Sequence, residues 1–317
     1  MSFLGLRIMI TGKDLFIPPR WLLFAGGGMR GVAYVGALER LEAVGAGNLR
    51  CFNGLRCIRG VAGVSIGAII AFLYAVGYTV AEMRHIALEL DFSTLQHVDE
   101  ETVLSISENY GIDDGAGVRA WLEGLLVRRG LAPTATFRDL ANNATTELRT
   151  YACRFRDGAT LEFSARRTPT IPIVDALMAS IAVPLYFAPV RIRGDLYVDG
   201  GVTDNYPMIA LSAAERRSAL GFVFKKDLGI YALEASEDFL RYGAHLIRIM
   251  GHDRYRIQLQ HYRDMTVVVD CGAMELLDFH MEATAKEALA AAGAAAVETW
   301  LEGKDRGAKR CRRWSIS

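Results

Sequence analysis

The segment Gly63-Val64-Ser65-Ile66-Gly67 stands between a β-rich run, Ile58–Ala62, and an apolar run that reads as helix. A strand that passes straight into a helix must turn within two or three residues. The residue at the apex takes a strained backbone conformation, and its side chain stands clear of the sheet. Its neighbours must be small, because the chain crowds itself there. Gly63 and Gly67 meet that demand, and Ser65 occupies the apex. The following helix presents its amino end, with its partial positive charge, to the serine. Such a turn belongs to an α/β sheet that raises a hydroxyl nucleophile above its strands.

The wider pattern alternates strands and helices, as that class requires. Trp21–Ala25 reads as a buried strand, and Val32–Ala43 as a helix with Val32, Val35, Leu38 and Leu41 at helical spacing. Leu148–Phe155 and Thr160–Ser164 flank the turn dipeptide Asp157-Gly158, and Val190–Arg193 and Leu196–Val198 make a second hairpin across Gly194-Asp195. A helix at Val174–Ser180, strands at Ala219–Phe224 and Thr266–Asp270, and an alanine-rich helix at Leu276–Leu301 complete the series. The stretch 80–131 is mostly helical, interrupted near Gly111–Gly115, and is a natural place for a cap or lid. No repeat and no linker is visible, so one domain over 1–317 is expected. Its motif-bearing core is about 20–210, followed by a helical region at about 272–303 and a basic tail at 304–317.

Gly26-Gly27-Gly28-Met29-Arg30-Gly31 follows the first strand and opens a helix. The G-x-G-x-x-G form could cradle a pyrophosphate, but that reading wants an acid about 20 residues on, and Cys51–Asn53 offer none. Alternatively, Gly27 and Gly28 aim backbone N–H groups at an oxyanion. With a serine turn one strand later, the oxyanion reading is preferred. Arg30 either pairs with a phosphate or helps orient the site, or it pins the loop through nearby carbonyls or an acid. Asp199-Gly200-Gly201 closes the second hairpin; by itself it reads as turn chemistry. Asp204, before Pro207, reads as a helix cap.

Together these motifs resemble those of the patatin-like phospholipases: GGGMRG at 26–31, GVSIG at 63–67 and DGG at 199–201, in that order, with ASIAVPLYFAP at 179–189 and DNYP at 204–207 alongside. The resemblance covers about residues 20–210. It implies a three-layer α/β fold, with a central, mostly parallel sheet flanked by helices. It also implies a Ser–Asp dyad in which Ser65 is the nucleophile and Asp199 the base. The oxyanion hole would be formed by Gly26, Gly27, Gly28, Arg30 and Gly31, the elbow by Gly63 and Gly67, with support from Gly200 and Gly201. The activity implied is hydrolysis of phospholipid acyl esters, with no cofactor and no metal. An acyltransferase using the same acyl-enzyme, a nucleotide-binding protein and a non-catalytic adaptor are the alternatives.

Composition excludes other classes. Lys plus Arg equals Asp plus Glu, at 36 each, so no nucleic-acid partner is expected. The five cysteines are scattered, which suits a reducing compartment rather than a disulfide framework. The first residues lack the pattern of a signal peptide, and the uncharged stretch Val61–Tyr78 reads as a strand end and a core helix rather than a membrane span. A cytoplasmic or peripheral-membrane location follows. The six basic residues in Lys304–Arg313 read as a solvated tail, or as an attraction to anionic membrane. The histidines His85, His97, His245, His252, His261 and His280 are the candidates for a conventional triad, and none sits in a glycine-bounded loop.

Overall fold

Trp21–Phe24 are apolar and buried on both faces, as a central parallel strand demands, and form β1. The computed structural model describes residues 19–48, 57–98, 106–225, 246, 249–272, 274 and 278–314. The remaining strands of the main sheet are β2 (Gly60–Val64), β4 (Glu147–Arg154), β5 (Ala159–Ser164), β7 (Val190–Ile192), β8 (Asp195–Asp199), β9 (Ala219–Phe224) and β10 (Thr266–Val269). The order is β10-β9-β1-β2-β4-β8-β7, with β5 also paired to β4. From β10 to β4 all pairings are parallel, and β5, β8 and β7 join antiparallel. The interruption expected at 111–115 contains a short strand, β3 (Gly111–Asp113), which pairs with β6 (Leu185–Phe187) in a separate two-stranded sheet.

Helices cover this sheet. They include α1 (Val32–Asn48), α2 (Ile66–Ala75), α3 (Val80–Glu89), α4 (Ile106–Asn109), α5 (Ala116–Arg128), α6 (Phe137–Asn143), α7 (Ile173–Ile181), α8 (Ala213–Arg216), α9 (His252–His261) and α10 (Ala283–Trp314). The alanine and glycine content of α10 has a packing cause. A Cβ on Gly36 would lie 1.9 Å from the Ala290 carbonyl oxygen, and one on Gly293 1.8 Å from that of Ala33. Only small residues let α1 and α10 approach so closely.

Two boundaries differ from the sequence expectation. The second strand starts two residues later than Ile58, because its ladder to β1 begins at Trp21 opposite Gly60. The last helix begins at Ala283 rather than Leu276, and it continues through the basic stretch Lys304–Arg313 to Trp314. Part of the cause is Phe279, which lies ahead of the helix and stacks on Tyr186 with ring centroids 5.1 Å apart. Residues 275–277 fall outside the described residues. The uncharged run 61–78 contains β2 and α2, and no described helix is long and apolar enough to cross a membrane.

At the start of β4, Arg149 is 1% exposed and bonds Glu147 at 2.8 Å and Glu215 at 2.6 Å. Its guanidinium lies 4.2 Å from the centre of the Trp21 ring. This buried charge cluster ties β1 and β4 to α8.

Candidate active site

The site arises where two strands meet head-on. β5 runs along one edge of β4. The other edge is shared: β2 covers Glu147–Tyr151, and β8 covers Ala152–Arg154. β2 is parallel to β4 and β8 antiparallel, so their carboxyl ends converge. Val64 stands opposite Tyr151, and Asp199 opposite the next residue, Ala152. Ser65 directly follows β2, and Asp199 is the last residue of β8. The ends are in contact, since a Cβ on Gly200 would lie 3.0 Å from Val64 Cγ1.

Ser65 has φ 54° and ψ −130°, the strained apex expected of a strand-to-helix turn, and it is nearly buried. The flanking glycines are required by space. A Cβ on Gly63 would lie 2.1 Å from the Gly67 carbonyl oxygen, and one on Gly67 2.3 Å from that of Phe24. The elbow is held from below by Ser180 of α7, which is fully buried. The Ser65 N–H donates to Ser180 Oγ at 3.0 Å, and the Ser180 hydroxyl donates to the Tyr151 carbonyl at 2.7 Å. One serine therefore joins the nucleophile turn to the strand that carries both converging ends. Helix α2 starts at Ile66, so its amino end abuts Ser65.

The glycine loop is equally constrained. Gly26 is held on both sides by Asn205: its N–H donates to the Asn205 carbonyl at 3.3 Å, and its carbonyl accepts from Asn205 Nδ2 at 2.9 Å. A Cβ on Gly26 would lie 3.0 Å from Ser65 Cβ, so the loop passes directly beside the serine. Gly28 has φ 56° and, with Ser65, lines the adjoining cleft. Arg30 is buried; its Nε donates to the Gly27 carbonyl at 3.1 Å, and its guanidinium lies 5.0 Å from the Phe224 ring centre. Of the two roles open to Arg30 from sequence, pinning the loop is the one these contacts favour. Tyr34 helps from beneath, donating to the carbonyls of Ala25 and Phe222. Burial raises its phenol well above the ordinary value, so it stays a neutral donor.

Asp199 is 3% exposed, and its Oδ1 accepts the Gly201 N–H at 2.6 Å. The backbone N–H of Asp199 donates to the Ala182 carbonyl at 2.8 Å. Asn205 Oδ1 and Asp199 Oδ1 would lie 2.7 and 2.9 Å from a Cβ on Gly201, so the Asn205 amide packs beside the aspartate turn while it bonds the glycine loop. Asp204 corrects an expectation: it caps no helix. Its carboxylate accepts from Gln258 at 2.8 Å and pairs with Arg254 at 2.9 Å, docking α9 against the site. Burial raises the Asp204 pKa, partly opposed by Arg254. Ser180 and Asn205 are thus structural members of the site that the motif reading did not single out.

Ser65 opens on an apolar cleft; the space among its lining side chains, open solvent included, is about 660 Å³. Phe92, Leu95, Val118 and Trp121, all from the 80–131 stretch, form one wall; Ile181, Val183 and Phe187 form another. No histidine is among the lining residues; His245 lies outside the described residues. Among the described residues there is no group of three or more His, Cys, Asp or Glu that could hold a metal ion. The strand after the glycine loop ends at Val64 and is followed by Ser65, where a dinucleotide site would want a carboxylate; Cys51–Asn53 lie outside the described residues. The arrangement suits attack by a hydroxyl on the carbonyl of an apolar ester.

A family model described as patatin-like phospholipase matches residues 22–212. The chain is 28% identical to uncharacterized protein R571 of Acanthamoeba polyphaga mimivirus, over 87% of this chain and 92% of that protein. It is 26% identical to probable lipid hydrolase 463L of Invertebrate iridescent virus 6, over 59% of this chain and 61% of that one. Among solved structures, VipD from Legionella pneumophila has a similar fold, with a TM-score of 0.56 at 14% identity, covering 90% of this chain and 67% of that chain.

Proposed function

The chain belongs to the patatin-like phospholipase family, and from that premise we propose that it cleaves phospholipid acyl esters, phospholipase A fashion, through Ser65 with Asp199 as base. The observation that carries this reading is the convergence of β2 and β8 beside an apolar cleft, with Ser65 held at φ 54°.

Ser65 Oγ attacks the ester carbonyl as Asp199 takes its proton, and the resulting oxyanion is received by the N–H groups of Gly27 and Gly28. The intermediate collapses to an acyl-enzyme, and the lyso-lipid leaves with the proton returned by Asp199. Water then attacks the acyl-enzyme with Asp199 again as base, releasing a fatty acid and restoring Ser65. A carboxylate of ordinary pKa, about 4, is a weak base for a serine hydroxyl. Much of the barrier reduction therefore falls to the oxyanion loop, where one preorganised donor is worth about 3 kcal/mol. The Gly26 amide is engaged by Asn205, which supports Gly27 and Gly28 as the donors in this reading. The single domain expected over 1–317 is retained as part of this proposal, with 80–131 as its cap.

The test is release of fatty acid from phosphatidylcholine vesicles, with and without added glycerol as an acyl acceptor. Ser65→Ala and Asp199→Asn are each expected to lower the rate at least about 1,000-fold, whereas His252→Ala, His261→Ala and His280→Ala keep it. A histidine variant as inactive as Asp199→Asn would overturn the dyad. Product that appears only as acyl-glycerol would identify an acyltransferase instead.

A further inference from the structure

A second apolar crevice adjoins the cleft at Ser65. It lies between α1, α2 and α3, and the space among its lining side chains, open solvent included, is about 400 Å³. Val35, Ile70, Leu73, Met83, Ile86 and Ala87 line it away from the cleft. Met29, Ile66, Ile69, Phe92 and Trp121 border both spaces. An apolar void forfeits dispersion contacts along its walls, holds water poorly and accepts apolar ligands. These five shared side chains are all apolar, so the two spaces adjoin across an apolar border, to which Trp121 and Phe92 of the 80–131 stretch contribute.

We propose that cleft and crevice are one acyl-binding site in two chambers. The cleft holds the carbons next to the ester, and the crevice receives the tail of a long chain, with Trp121 and Phe92 forming the neck. This rests on the reading of Ser65 as an ester nucleophile, and it makes the crevice the part of the site that selects acyl-chain length. Each methylene that moves from water into such a void strengthens binding about fourfold. The crevice therefore sets a preference for chains that pass the neck.

Two variants test it. Ala87→Phe fills the crevice from the half-buried face of α3, and Trp121→Ala widens the neck. The readout is the ratio of kcat/KM for p-nitrophenyl palmitate to that for p-nitrophenyl butyrate. Ala87→Phe is expected to lower the ratio at least tenfold, mainly through KM for palmitate, and Trp121→Ala to raise it. In parallel, cis-parinaric acid binding to the Ser65→Ala protein requires no turnover. Its Kd is expected to rise at least fivefold when Ala87→Phe is added. An unchanged ratio together with an unchanged Kd overturns the two-chamber site. A crevice reserved for the other chain of a diacyl lipid would give that same result with these single-chain probes. Absent hydrolysis with a shifted Kd would overturn the ester-hydrolase reading and leave the two-chamber site standing.

Discussion

Replacing Ser180 with alanine removes one hydroxyl and disturbs two backbone groups at once. Its Oγ accepts the Ser65 N–H at 3.0 Å and donates to the Tyr151 carbonyl oxygen at 2.7 Å, in a place closed to solvent. With the hydroxyl gone, a buried donor and a buried acceptor lose these partners. Each such loss costs about 1–3 kcal/mol, offset in part because the serine hydroxyl no longer has to be desolvated. The net expected loss of stability is about 2–4 kcal/mol, with little cavity contribution because only one oxygen is removed. Urea unfolding followed by circular dichroism measures it as a lower midpoint at unchanged slope. The same variant loosens the strained backbone of Ser65, so kcat on a short ester falls at least about tenfold while KM changes little. A Ser180→Ala protein with wild-type midpoint and wild-type kcat would refute the claim that Ser180 holds the elbow.

Gly67→Ala places a Cβ 2.3 Å from the Phe24 carbonyl oxygen, a backbone atom that cannot swing away, and is expected to destabilise by about 3 kcal/mol or more. Gly124→Ala, in helix α5 with nothing within 4 Å of the new methyl, is its control and should stabilise by up to about 1 kcal/mol in the same unfolding assay. Arg30→Leu frees the Gly27 carbonyl and should lower kcat about tenfold with KM nearly constant, measured by steady-state kinetics. Glu215 governs part of the acid response. Burial pushes its carboxyl up, but hydrogen bonds from Arg149 and Ser212 outweigh that and hold it at about 2. A lowered folded pKa gives stability that is present above the ordinary carboxylate value and lost as pH falls from there toward about 2. With screening at its partly exposed carboxylate, Glu215→Gln should remove about 1–2 kcal/mol at pH 6 and flatten the loss between pH 4.5 and 2, read by pH-dependent unfolding.

The elements that were legible in sequence have local causes. A strand that must turn into a helix at Ser65 needs small neighbours, so the elbow shows as two glycines around a serine. The Asp157-Gly158 and Gly194-Asp195 turns announced their hairpins in the same way, and both form. The head-on meeting of β2 and β8 has no local signature, because it depends on which registers of β4 each strand occupies. Ser180 and Asn205 lie in the quoted segments 179–189 and 204–207 but receive no role from sequence, for a related reason. Each is a single polar residue whose partners, Ser65 and Gly26, lie 115 and 179 residues away. A signal existed for Ser180, since a serine within the otherwise apolar end of α7 needs a buried partner. Asp204 was misread because a carboxylate near a proline fits a cap locally, whereas here it answers Arg254 and Gln258 from α9.

Covalent capture tests the central claim most directly. The protein is treated with a long-chain alkyl fluorophosphonate and the adduct located by peptide mass spectrometry, in wild type, Ser65→Ala and Asp199→Asn. One adduct per chain on Ser65 is expected in the wild type, none in Ser65→Ala, and labelling slowed at least about 100-fold in Asp199→Asn. Undiminished labelling of Ser65→Ala, or wild-type labelling rates in Asp199→Asn, would contradict the account.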